Sequence, residues 1–109
     1  MTTDSEFRDY VFDQMKGLGK FDTKNMFGGT ALLRNGKAFA KIKHGSLWLK
    51  TDNGNLNDFL EQGMNQYAYG KDNSRTLNFY ETPVEVLEDA ETLIQWAAKA
   101  CEAAGRAKK

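Results

Sequence analysis

The apolar positions of the chain change period twice, from helical spacing to strict alternation and back. Phe7, Tyr10, Val11, Gln14 and Leu18 stand near helical spacing, a largely apolar stripe that Gly17 or Gly19 can close with a left-handed cap. Ahead of it, Thr3-Asp4-Ser5-Glu6 has the form of a capping box, in which hydroxyl and carboxylate each take a free backbone donor. A first amphipathic helix is predicted here. At the far end, Thr82-Pro83-Val84-Glu85 repeats the device, with proline at the first helical position where it forfeits no hydrogen bond. The long helix that follows carries Leu87, Ala90, Ile94, Ala97, Cys101 and Ala104 on one stripe, with Leu93 and Ala100 beside it and Trp96 toward the flank. Its first turns are acidic and Arg106, Lys108 and Lys109 close it, as the helix dipole favours. A short helix around Leu56, Phe59 and Leu60, stopped by Gly63, is predicted between the two.

Between the first two helices the period falls to two. Asn35-Gly36 is a strong hairpin signal, because both central residues of a type I′ turn need positive φ. Closing that turn pairs Leu33 with Ala38, Leu32 with Phe39 and Ala31 with Ala40. Directly opposed residues share a side of the sheet. One face is then Gly29, Ala31, Leu33, Ala38, Ala40 and Ile42, wholly apolar; the other is Thr30, Leu32, Arg34, Lys37, Phe39 and Lys41. A two-residue turn at His44-Gly45 sets Leu47 opposite Ile42 and Leu49 opposite Ala40, and brings Trp48 and Lys50 to the second face. Two further strands are expected at Gln66 to Tyr69 and Thr76 to Tyr80, bridged by residues 70–74. The expected architecture is a two-layer α+β domain, in the order α-β-β-β-α-β-β-α, with an antiparallel sheet of about five strands and helices on one face.

Length bounds this picture to one domain over residues 1–109, large enough to bury a core without metal or disulfide. Cys101 is the only cysteine, the start is polar and no long apolar run occurs, which points to the cytoplasm and away from the membrane. Net charge is zero, but unevenly spread. From Lys20 to Lys50 seven basic side chains face Asp22 alone, a balance of +6. From Glu81 to Glu102 six acidic side chains face Lys99 alone, a balance of −5.

Gly28-Gly29 raises the question of a phosphate cradle. A P-loop needs glycine, four residues, then Gly-Lys-Ser/Thr leading from a strand into a helix; here the spacing to Gly36-Lys37 is too long, Ala38 replaces the hydroxyl, and a hairpin follows. The glycines are better read as a place where backbone must approach closely. The stretch Met26 to Asp52, "MFGGTALLRNGKAFAKIKHGSLWLKTD", resembles the amino-terminal domain of the TfoX (Sxy) competence-regulator family, as do the Tyr67 to Tyr69 segment and "FYETPVEVLEDAETLIQWAAKA". The resemblance implies a two-layer fold of three helices and an antiparallel sheet, and a role in transcriptional regulation of competence-like genes in bacteria. It implies no catalytic residues. Full-length regulators of that family also carry a carboxy-terminal domain, for which these residues leave no room.

Candidate chemistry is sparse. His44 reads as a turn residue and Cys101 as part of an apolar stripe, so neither a nucleophile with its base nor a metal set is expected, and no cofactor. The acidic group Glu85, Glu88, Asp89 and Glu91 reads as a solvated helix start, or as a docking face for a basic partner. The second sheet face is the feature a core does not explain: Leu32, Arg34, Lys37, Phe39, Lys41, Trp48 and Lys50 interleave rings and cations on a side helices leave open. Three uses fit it: lysine stems shielding the rings, a homodimer or other protein interface, or single-stranded nucleic acid with bases on rings and phosphates on lysines. The expected protein is a non-enzymatic regulatory module that contacts a protein partner, such as the transcription machinery. Direct single-stranded nucleic-acid binding is the alternative.

Overall fold

The fold is taken from a computed structural model that describes residues 4–26, 29–43 and 45–107. The elements run α1 (Asp4–Gln14), a 3-10 turn (Lys16–Leu18), β1 (Asp22–Met26), β2 (Gly29–Arg34), β3 (Lys37–Lys43), β4 (Ser46–Lys50) and α2 (Leu56–Glu61). They continue through β5 (Gln66–Tyr69), a 3-10 turn (Lys71–Asn73), β6 (Arg75–Glu81), α3 (Val84–Glu88) and α4 (Ala90–Arg106). One antiparallel sheet holds all six strands in the order β1-β2-β3-β4-β6-β5, and α4 lies across β3 and β4. The α+β class stands, with one strand more than expected. β1 escaped the alternation rule because residues 22–25 are polar and exposed, as suits an edge strand that must not recruit another. The Thr3 capping box, Gly28, His44 and the terminal lysines lie outside the described residues.

Both hairpin turns form where the sequence put them. Asn35 (φ 56°) and Gly36 (φ 79°) make the left-handed pair, and Lys43 opposite Ser46 leaves two residues in the next turn, with Gly45 at φ 70°. Leu33 pairs with Ala38 as expected, but the ladder then slips: Leu32 faces Ala40, not Phe39. Phe39 is an extra residue on β3, a β-bulge. Phe39 and the next residue, Ala40, are in consequence both fully buried against the helices, and Leu32 joins them. Beyond the bulge the expected register holds, with Ala40 opposite Leu49, Ile42 opposite Leu47 and Lys41 opposite Trp48.

The bulge therefore corrects the face assignment. Leu32 and Phe39 belong to the core, with Val11, Met15, Ile42, Leu47, Leu49, Phe59 and Leu93. Phe39 meets the Phe21 ring edge-on at 6.0 Å between centroids. Of the face taken to be apolar, Ala40 and Ile42 stay in the core, while alternation along β2 and β3 turns Ala31, Leu33 and Ala38 to the other side.

The last helix is two helices. Asp89 is extended (φ −109°, ψ 101°), so α3 stops after five residues and α4 restarts with Thr92 Oγ1 donating to Asp89 Oδ2 at 2.9 Å. The interruption frees the Leu87 carbonyl, which accepts from Gln14 Nε2 at 3.0 Å. Pro83 precedes the helix at the capping position, and Thr82 Oγ1 is buried with no hydrogen-bond partner, so the expected capping box does not form. On α4 the buried stripe is Leu93, Ala97, Ala100, Ala103 and Ala104, shifted from the one centred on Ile94 and Cys101. Small side chains on this stripe let the helix sit close on the sheet. Among the described residues no helix is long and apolar enough to cross a membrane.

Candidate functional site

Four of the seven residues expected on the open face are structural. Besides the core residues Leu32 and Phe39, Arg34 and Lys37 flank the Asn35-Gly36 turn on the helix side, where each serves a helix end. Arg34 Nη2 donates to the Leu18 carbonyl at 2.8 Å and to that of Lys20 at 3.3 Å. Lys37 Nζ donates to the Gly105 carbonyl at 3.2 Å, in the last turn of α4. Terminal helical carbonyls lack partners within their own helix, and cations there also meet the favourable end of the dipole.

Lys41, Trp48 and Lys50 do occupy the opposite face, and the structure brings them together with residues from the far end of the sheet. Trp48 donates its indole Nε1–H to the Lys43 carbonyl at 3.1 Å and meets the Tyr67 ring edge-on, 5.0 Å between centroids. Lys41 Nζ lies 5.4 Å from the Tyr67 ring centre and 5.5 Å from that of Phe79; Lys50 Nζ lies 5.1 Å from Phe79. These are cation–π distances. Tyr67 and Phe79 are thus buried beneath lysine heads, while Tyr69, tilted 37° to Tyr67, remains 38% exposed. Burial first, then the charges of Lys43 and Lys50, holds the Lys41 pKa below the ordinary lysine value. Among the described residues none of the ion pairs includes Lys41, Lys43 or Lys50. The carboxylate of Glu81, opposite Trp48, accepts from Ser46 Oγ at 2.9 Å.

Tyr67, Tyr69, Phe79 and Lys43 were missed by sequence reasoning as members of this face. The period-two spacing of Tyr67 with Tyr69, and of Leu77 with Phe79, was a usable signal. What was lacking was the curvature that carries β5 toward β3. The ladder shifts register between β2 and β3 and between β5 and β6, as bulges that bend strands do, and Lys41 reaches a ring three strands away. Between the halves lies a cleft of about 490 Å³, walled by Gly29 to Ala31 and Lys41 to Lys43 on one side and by Tyr67, Tyr69, Gly70 and Leu77 on the other.

Gly29 stands at the cleft's rim for a steric reason. A Cβ there would lie 2.7 Å from the Ile42 carbonyl oxygen and 3.3 Å from Lys43 Cβ, so close backbone approach explains the glycine. The segment runs strand to strand, which leaves no helix N-terminus for a phosphate cradle. A second, more open depression of about 710 Å³ lies beside α2 and the end of α4, and the charged residues that line it are tied into ion pairs, Asp52 with Arg106 at 2.6 Å and Lys99 with Asp58 at 2.9 Å. The Arg106 hydrogen bond is the main cause holding the Asp52 carboxyl below its ordinary pKa. Cys101 is half-buried on α4, where burial pushes its thiol pKa up, away from nucleophilic use.

No curated protein matches the chain. The family model of the TfoX N-terminal domain matches residues 13–104, a span that takes in all six strands and most of α4. On that match the chain belongs to the TfoX N-terminal domain family.

Proposed function

We propose that this domain is a non-enzymatic regulatory module, acting in the bacterial cytoplasm on transcription of competence-like genes, and that it works by non-covalent contact through the open face of its sheet. The observation that carries the reading is the cationic aromatic face: Lys41 and Lys50 set over rings with Lys43 beside them, and among the described residues none of the three in an ion pair. The regulatory part is drawn from the resemblance to the TfoX competence regulators and is supported by the match to the TfoX N-terminal domain. A two-fold sheet-to-sheet homodimer fits this face poorly, because a self-complementary interface would bring the Lys41, Lys43 and Lys50 charges of both copies into one contact surface.

Transcript profiles of host cells test the reading, comparing the wild-type domain with a Lys41→Glu, Lys43→Glu double variant at equal abundance. A set of genes should respond to the wild type alone. Identical profiles from both proteins would remove the open face from the mechanism.

A further inference from the structure

We propose that the cleft between β3 and β5 takes one unpaired nucleotide of a single-stranded nucleic acid, the base lying against Tyr69 and the phosphates along Lys41 and Lys43. The inference rests on the open face being the working surface, and it names the chemistry of the occupant. Size, shape and charge select it together. A volume of about 490 Å³ lies within the usual range of about 300 to 1,000 Å³ for sites that enclose a small ligand. Tyr67 is committed to Trp48 and Lys41, whereas Tyr69 is the ring at this site with accessible surface. One wall offers the Tyr69 ring, the other Gly29 to Ala31 of β2.

Electrostatics points to an anion. Burial first, and then the charges of Lys43 and Lys50, hold the Lys41 pKa down, and a phosphate at these lysine heads would offset both. The register continues the cationic surface beyond the cleft through Lys50, Lys24 opposite Ala31, and Arg75 opposite Tyr69. A single free nucleotide has no use for this extension, but a strand running over the sheet does. Duplex is excluded on shape, since a base enters such a cleft only when out of its stack.

Fluorescence anisotropy with a short labelled oligothymidylate tests the assignment on the full chain across a salt series. The strand should bind at low salt, with affinity falling linearly in log–log form as salt rises. Lys43→Glu and Lys41→Glu should each weaken binding by about tenfold at low salt and flatten the salt slope. Tyr69→Ala should weaken it by about five- to tenfold, as expected for loss of one stacked base. Lys16→Glu makes the same charge change on the helix side, where Lys16 pairs with Asp13, and should leave binding within about twofold. Melting curves confirm that each variant is folded, and Lys43→Glu carries the test if Lys41→Glu does not fold. No binding at low salt, equal binding of duplex, an undiminished Tyr69→Ala complex, or equal loss in Lys16→Glu would each overturn the assignment. Displacement of the strand by free thymidine monophosphate at equal concentration would reassign the cleft to a free nucleotide, and displacement by polyglutamate to an acidic protein. If strand binding fails while the transcript response still depends on Lys41 and Lys43, the nucleotide assignment falls and the regulatory reading stands.

Discussion

The two faces of the sheet are made by the same strands and satisfy burial in opposite ways. Toward the helices, Leu32, Phe39, Ala40, Ile42, Leu47 and Leu49 are closed off by other apolar side chains, and the cations there, Arg34 and Lys37, are spent on backbone carbonyls. Away from the helices, Tyr67 and Phe79 are equally hidden from water, but beneath lysine heads. A lid of side chains can swing aside, whereas a helix layer cannot without unfolding. Burial alone therefore does not separate core from surface in this domain; what covers the ring does.

The largest test of that contrast is Leu47→Asp. It puts an unpaired carboxylate among Ile42, Leu49 and the helices, and should remove several kcal/mol, a large part of the roughly 5 to 15 kcal/mol that stabilises such domains. Denaturant titration measures it, and a loss below that of Trp48→Ala would invert the two faces. Phe39→Ala comes next, at about 3 to 5 kcal/mol for a fully enclosed ring. Were Phe39 tolerant of alanine, the bulge that turns it inward would be misplaced. Gly29→Val should lower stability by about 1 to 3 kcal/mol through overlap with the Ile42 carbonyl. Inorganic phosphate should not restore it, and restoration would revive a cradle at this loop. Trp48→Ala removes a half-buried ring that loses an edge-on partner and one hydrogen bond, so its effect should stay below that of Phe39→Ala. The gap between these two melts sharpens the comparison most directly.

The smallest effect belongs to the Asp52–Arg106 pair. Its hydrogen bond depresses the folded-state pKa of Asp52, so the stabilisation is present at neutral pH and is lost as pH falls through the acid range in which the folded carboxylate titrates. Asp52→Asn should melt slightly below the wild type at neutral pH and converge with it at acid pH. A difference that grew on acidification would carry the wrong sign.

Most of the fold was legible in the sequence because its signals were local. Asn35-Gly36, the Gly63 stop and the Leu47-Trp48-Leu49 alternation each depend on a few adjacent residues, and each is found as expected. The candidate face was legible only in part, because one inserted residue moves a strand by half a period without changing its composition. Nothing in "KAFAKIK" marks Phe39 as extra: Ala38, Phe39 and Ala40 are apolar on either reading. The ring partners of Lys41 come from two strands, Tyr67 on β5 and Phe79 on β6, 26 and 38 residues along the chain, a separation that no local pattern spans. Asp89 was hidden for a similar reason, since acidic residues are also ordinary in a first helical turn.

The turn at Asn35-Gly36 has a consequence for the order of folding. Two-residue hairpins close within about 1 to 10 μs, long before distant segments meet. When this one closes, Arg34 and Lys37 stand side by side, so acceptors 14 and 68 residues away in sequence dock onto one preassembled clamp. The early hairpin thereby shortens the search for both ends of the chain. Its signature would be kinetic: Asn35→Ala should slow refolding and leave the unfolding rate nearly unchanged, while Leu93→Ala, on the distant α4, should do the reverse.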